Sequence, residues 1–199
     1  MATKIERDFK FMAAVHFEKK FIMNIYEIKL GMEVETDSII EQNIAMERII
    51  YFLGESLSDC VFVECTDTTA IENYTKAGLK VCTIPEEPYD QIITMLLILK
   101  FNVITEGRLS VYDIELKSEL SDDVKFIYDV ETAMLNPFDK KGWWLDKSPT
   151  IANTVAKSNK KEKIVKLVKA VDWKSIGLEW VNKTESADIL ELKAESDKP

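Results

Sequence analysis

The chain reads as α/β or α+β, with a mixed sheet of about six to seven strands, about three packed helices and a basic C-terminal extension. Three observations lead there. From Tyr26 to Val34 the apolar residues Tyr26, Ile28, Leu30, Met32 and Val34 recur at every second position, the period of a strand with one wet face. After Val34 the period becomes helical, with Ile39, Met46, Ile49, Ile50, Leu53 and Leu57 on one side and Glu41, Arg48 and Glu55 opposite. Cys60 to Cys65 then forms a short, apolar, β-branched run of the kind found inside a sheet. Strand, helix and strand in this order share one core across residues 22 to 65, and the other segments add to that sheet.

Upstream, Phe9 to Phe17 is apolar with aromatic ends, and Glu18, Lys19 and Lys20 form a charged tip before Phe21. A first strand therefore folds back as a hairpin, although the tip lacks an Asn-Gly signal. Ser38 and Glu41 make a capping box in which hydroxyl and carboxylate satisfy amides at the helix start. Thr66-Asp67-Thr68-Thr69 opens a short helix that closes at Gly78, where a positive φ is needed, and Leu79 to Ile84 is a further buried strand. Pro85-Glu86-Glu87-Pro88 breaks the chain and puts acids in the first turn of a helix running to Phe101. That helix is apolar almost all round, so its own domain or a partner must bury most of its circumference. Arg108 to Ser118 alternates, with Tyr112, Ile114 and Leu116 on one face and Asp113, Glu115 and Lys117 on the other, and Val124 to Val130 follows across a hairpin link.

Three segments result: a mixed core domain over 1–135, a Trp-containing loop and Lys-rich extension over 136–184 packed on or projecting from it, and a flexible acidic tail over 185–199. In the extension, Ile164, Leu167, Val168 and Val171 have helical spacing, while Ile164-Val165 and Leu167-Val168 fit a strand equally well.

A formal charge of -9 argues against a protein that coats nucleic acid with its whole surface, since backbone binding needs an excess of Lys and Arg at the contact. The three cysteines, at 60, 65 and 82, lie in apolar strands without a CxxC, which suits reduced core thiols in the cytoplasm. Ile92 to Leu99 is the longest apolar run and falls short of the ~18 residues that span a bilayer. Met1 to Lys10 has no apolar signal region, so neither membrane anchor nor secretion is expected.

Four constellations bear on chemistry. Thr66, Asp67, Thr68 and Thr69 sit where a strand ends and a helix begins, where free amides and hydroxyls hold anions, but the turn lacks glycines and its residues are also those of a helix cap. Asp113, Glu115 and Lys117, with Asp90 upstream, resemble the carboxylates and lysine of a Mg²⁺-dependent nuclease, and charges at alternate positions equally describe a solvated sheet face. His16 is the chain's single histidine and completes neither a triad nor a zinc set. Trp143 and Trp144 precede a stretch from Lys141 to Lys174 with nine Lys, including Lys160, Lys161 and Lys163, against three acids. These residues could stack and pair with single-stranded nucleic acid or anchor a protein partner, or the tryptophans could simply pin a loop. Glu106 to Asp139 holds nine acids against three bases and could face those lysines, or those of a second copy.

The run Glu106-Gly107-Arg108-Leu109 leading to Lys117-Ser118-Glu119-Leu120-Ser121-Asp122, with Glu41-Gln42-Asn43 and Ala45-Met46-Glu47-Arg48-Ile49 upstream and Gly142-Trp143-Trp144 downstream, resembles small uncharacterised proteins of tailed bacteriophages. The resemblance implies a role in virion structure or host interference, in the host cytoplasm or virion, and transfers no functional residue. The expectation is therefore a non-catalytic phage-type accessory or structural protein that acts through protein contacts and self-association. A metal-dependent nuclease or nucleotide hydrolase using the 108–118 carboxylates is the first alternative, and a nucleotide or nucleic-acid binding module is the second. No cofactor is expected, Mg²⁺ entering only with the nuclease reading. The partners are a second copy or a host or virion protein, nucleic acid through 141–174, and no membrane.

Overall fold

The structure, a computed structural model, describes residues 3–129, 138, 141–151 and 171–181. Strands β1 (Thr3–Phe17) and β2 (Lys20–Val34) form a long antiparallel hairpin. Helix α1 (Ile39–Tyr51) runs on into a π-helical turn (Phe52–Leu57) before β3 (Cys60–Glu64), α2 (Thr68–Lys76) and β4 (Lys80–Ile84). Helix α3 (Asp90–Thr105) leads to β5 (Leu109–Ser118) and β6 (Lys125–Asp129). The six strands make one sheet in the order β4-β3-β1-β2-β5-β6. Strands β4, β3 and β1 run parallel and the remaining neighbours antiparallel, so the expected mixed sheet with three helices is what forms. No helix among the described residues is long and apolar enough to cross a membrane.

The hairpin explains both the sheet and its unusual tip. Fifteen consecutive pairs run from Thr3↔Val34 to Phe17↔Lys20, so the turn consists of Glu18 and Lys19 alone. Both take positive φ, 48° and 62°, because only that hand of two-residue turn matches the twist of the strands. Glutamate and lysine adopt it at a cost, which is why the tip carries no readable turn signal.

Alternation along the hairpin separates two layers. Phe11, Ala13 and Val15 of β1 and Tyr26, Ile28, Leu30 and Met32 of β2 face an inner core shared with α1, the π turn and α3. Ala14 faces outward with Val61, Val63 and Val81, and α2 covers them with Ala70, Ile71 and Tyr74. On β5 the alternation breaks. The register shifts between Gly31 and Met32, pairing them with Asp113 and Val111 and leaving Tyr112 as the extra residue. Leu109, Val111, Ile114 and Leu116 therefore point inward, and the expectation that Tyr112 shares their row is corrected. Its ring lies over Gly31 instead, where an added Cβ would sit 3.0 Å from ring atoms. Asn102 secures the same place, donating to the Val111 carbonyl and accepting from its amide, each at 2.9 Å.

Helix α3 is enclosed by its own domain: Ile92, Ile93, Leu96, Leu97, Ile98, Phe101 and Ile104 are all in the core. The same enclosure takes up the aromatic pair. Trp143 and Trp144 are 4% and 3% exposed, Trp143 stacks on Phe52 at 5.7 Å, and its indole N–H donates to the Thr83 carbonyl at 3.0 Å. Of the alternatives for these rings, pinning a loop onto the body agrees with their burial, and anchoring a partner at the surface is corrected, since they close the core. Lys100, fully buried, donates to the carbonyls of Asp146 and Ser148 and so pins the segment that follows. Burial lowers its pKa to about 8. Lys160, Lys161, Lys163 and the tail over 185–199 lie outside the described residues.

A second correction concerns α1. Ile39, assigned to the buried side, is 74% exposed, whereas Arg48, assigned to the wet side, is 2% exposed. The reason is the segment 171–181, which covers that face. Arg48 donates to the carbonyls of Ile104 (3.0 Å) and Leu178 (2.9 Å) and to Glu106 Oε1 (2.9 Å), with its guanidinium 4.6 Å from the Trp173 ring centroid and 3.7 Å from that of Trp180. Glu106 also accepts from Lys147 at 2.7 Å and from the Trp180 indole at 3.0 Å. Burial alone would raise its pKa, but the hydrogen bonds from Lys147, Trp180 and Arg48 outweigh this and hold it at about 2.

Two outcomes are expected. Replacing the tip by Glu18→Asn with Lys19→Gly raises stability by roughly 1 kcal/mol in urea unfolding, because the strained φ values become native to the residues. The second concerns acid. A carboxyl whose pKa is lower folded than unfolded contributes stability that is complete above its ordinary value near ~4.3 and is lost as the pH falls through about 2. The stability gap between the natural protein and Glu106→Gln, measured by denaturant titration, should be widest near neutrality and close as the pH drops from about 4 to about 2.

Candidate functional site

The inner row of β2 contains one residue that does not belong in a core. Asn24 precedes Tyr26, Ile28, Leu30 and Met32 on the same face and is 1% exposed, yet neither its Nδ2 nor its Oδ1 has a hydrogen-bond partner among the described residues. A buried amide in that state costs about 1–3 kcal/mol for each unmet group. Natural chains keep such a group where something else satisfies it.

Asn24 lines a cavity of about 300 Å³ at the end of the sheet nearest the hairpin tip. Its apolar walls come from three places: Val15, Phe17 and Ile22 of the hairpin, Pro88 and Tyr89 ahead of α3, and Val124 with Phe126 beyond the β5–β6 link. The Phe17 and Tyr89 rings meet edge to face at 5.3 Å. Asp90, the first residue of α3, is the cavity's carboxylate and accepts from the Ser118 hydroxyl at 2.6 Å. Burial raises its pKa, an effect that the Ser118 bond partly offsets. Ser121, also on the wall, ties the β5–β6 link by accepting from the Ser118 amide and donating to the Ser118 carbonyl. The Tyr26 hydroxyl is buried beneath Asn24 without a hydrogen bond of good geometry. Burial drives its pKa far up, the neighbouring Asn24 amide lowers it somewhat, and the Asp90 charge raises it again.

An amide with a free donor and a free acceptor side by side, in a largely apolar chamber of this size, is equipped to hold a flat molecule by a complementary edge. A carboxyl with raised proton affinity beside it is equipped to exchange a proton with what is held.

The residues singled out from the sequence lie elsewhere. Glu115 and Lys117 stand on the open outer face of the sheet with Asp8, Lys10, Glu27, Lys29 and Lys125, around a shallow groove of about 470 Å³. They are spent on pairs: Lys125–Glu115 at 3.3 Å, Lys117–Asp123 at 2.5 Å and Lys10–Glu27 at 3.1 Å. Asp113 is opposite Gly31 at the bulge. Asp90 is on the inner side, so the carboxylates of the nuclease reading do not meet. Among the described residues no group of three or more His, Cys, Asp or Glu is placed to hold a metal ion. Asp67 caps α2, its Oδ1 accepting from the Ala70 amide at 2.9 Å, and Thr66 donates to Glu64. His16 lies eight positions along β1 from Asp8, which is level with Lys29 and Glu115, so it is roughly 27 Å from them at ~3.4 Å per residue. Asn24 is not among the residues that the sequence motifs single out. The signal that would have found it is a polar amide extending an alternating apolar row.

No family model and no curated protein matches the sequence. Among solved structures, the chain is similar to an uncharacterized protein of Wolinella succinogenes, at 10% identity and TM-score 0.45, covering 65% of this chain and 99% of that one. It is similar to the 6-pyruvoyl tetrahydropterin synthases of Plasmodium falciparum (12% identity, TM-score 0.42, 64% and 96% covered) and Plasmodium vivax (11%, 0.43, 64% and 97%). These are likenesses of fold alone. The expectation of a non-catalytic phage-type accessory protein is corrected by the structure itself: the apolar helix and the tryptophan pair, two of the features that prompted it, are buried within the domain and are not offered to a partner.

The orphaned amide makes a stability prediction. Asn24→Leu, close in volume and without polar atoms, should raise the free energy of unfolding by about 1–3 kcal/mol in denaturant titration.

Proposed function

We propose that this protein acts on a small organic molecule held in the cavity between the hairpin tip, the start of α3 and the β5–β6 link. Asn24 recognises an edge that offers a hydrogen-bond donor beside an acceptor, as lactams, amides and amino-heterocycles do. The apolar walls cover the faces of the molecule, and Asp90, steadied by Ser118, gives or takes a proton at its rim. The observation that carries this reading is that Asn24 lines the cavity while both of its polar atoms are buried without a hydrogen-bond partner among the described residues. We place the protein in a reducing compartment such as the cytoplasm, consistent with Cys60, Cys65 and Cys82 forming no disulfide with one another.

A panel of 2-pyridone, uracil, nicotinamide and benzene, followed by thermal shift and ligand-observed NMR, tests the proposal. Compounds with an amide-like edge should raise the melting temperature and show transfer from the protein, benzene should not, and Asn24→Leu should abolish the effect while the variant stays folded. Equal response to all four compounds, or binding that survives in Asn24→Leu, would count against it.

A further inference from the structure

The chain's single histidine lies on the opposite face of the sheet from the cavity and takes no part in it. His16 ends the outward row of β1 beneath α2, with 15% of its side chain exposed. Two groups engage its ring. Asp67 Oδ2 is 3.2 Å from Nε2, and the Tyr74 hydroxyl is 2.8 Å from Nδ1. A carboxylate only accepts, so in the neutral imidazole Nε2 carries the hydrogen and Nδ1 offers its lone pair to the Tyr74 O–H. Hydroxyl, imidazole and carboxylate thus stand in series, the order that activates a hydroxyl as a nucleophile.

Each member is fixed by something else. The second oxygen of Asp67 caps α2 through the Ala70 amide, so its carboxylate is held on two sides. Tyr74 projects from the last turn of α2, and its ring meets His16 edge to face at 5.5 Å. Beside it lies uncovered apolar surface: Phe21, 45% exposed, tilts against the Tyr74 ring at 5.8 Å, and Met23, 48% exposed, follows on the same strand face. Burial, and then the Asp67 charge, raise the pKa of the phenol, so it keeps its proton until an acceptor takes it.

We infer that Asp67, His16 and Tyr74 form a second reactive site, in which Tyr74 attacks small activated acyl esters that rest on Phe21 and Met23. The phenolic oxygen bonds to the acyl carbon as its proton passes to Nδ1 of His16. Collapse of the tetrahedral adduct breaks the bond to the leaving oxygen, which departs with that proton, or as the free anion when it is acidic enough, His16 then passing its proton to solvent. Water then repeats the sequence at the acyl-tyrosine, releasing the carboxylic acid and restoring Tyr74. Asp67 is a positioning residue here, holding the imidazole in the tautomer that accepts.

The probe is p-nitrophenyl acetate, with nitrophenolate release followed by absorbance and the acylated residue identified by peptide mass mapping. The expected result is a burst with acetyl on Tyr74 ahead of Tyr89, although Tyr89 is the more exposed at 52%. His16→Gln should slow acetylation of Tyr74 by roughly 100-fold, the scale of a lost general base. Asp67→Asn keeps the cap on α2, checked by circular dichroism, and should still slow the reaction about tenfold or more by releasing the tautomer. Acetyl confined to lysines, or Tyr74 labelled at equal rates in the natural protein and His16→Gln, would overturn the inference. Neither result bears on the cavity, which these substitutions do not touch.

Discussion

A helix that is apolar on nearly its whole circumference must be covered on every side, and the covering of α3 organises this protein. One flank lies on β5, with Asn102 stitched to Val111 and the Thr105 hydroxyl donating to the Leu109 carbonyl. Another meets α1, and a third is closed by Trp143 and Trp144. Each cover brings a further obligation. The tryptophan segment is irregular and has carbonyls to satisfy, and Lys100 reaches from α3 to two of them, at the price of a buried ammonium. The segment 171–181 is drawn in by the Arg48–Glu106 pair and the rings stacked on it, and so becomes part of the wall.

The same helix sets the place of the candidate site. Its first turn ends the enclosure, because beyond Asp90 the chain has already been broken by two prolines and turns away. There the inner layer thins out while the hairpin continues to Phe17, which leaves a chamber between the strand ends and the helix start. Polar residues at that depth, Asn24 and Asp90, are costly to the fold and are tolerated at its margin, where the core is already open. The outer face follows a different logic. Over β2 and β5 it is a field of neutralised charge pairs, and only under α2 does it become enclosed enough to hold His16 between two partners.

How far the sequence could be read follows from the range of the forces involved. The elements whose type depends on near neighbours were legible: the alternating strand ending at Val34, the Ser38 cap accepting from the Glu41 amide, the short strands at 60 and 80, and the helix stop at Gly78 with φ 79°. The misread features are those in which a distant segment changed the local optimum. Arg48 belongs on the wet face of an isolated helix and becomes buried because Leu178, Trp173 and Trp180 arrive from more than a hundred residues away. Tyr112 leaves its row because the partner strand offers Gly31 to lie on. The hairpin tip takes two costly φ values because fifteen strand pairs impose them.

By itself the sequence determined the class of fold and the order of its elements, because period, caps and breakers act over a few residues and are written directly in the chain. Only the tertiary structure decided which polar groups share a space. Asn24 meets Asp90 across 66 positions of sequence and His16 meets Tyr74 across 58, and no local pattern records a meeting that depends on how the strands and helices stack.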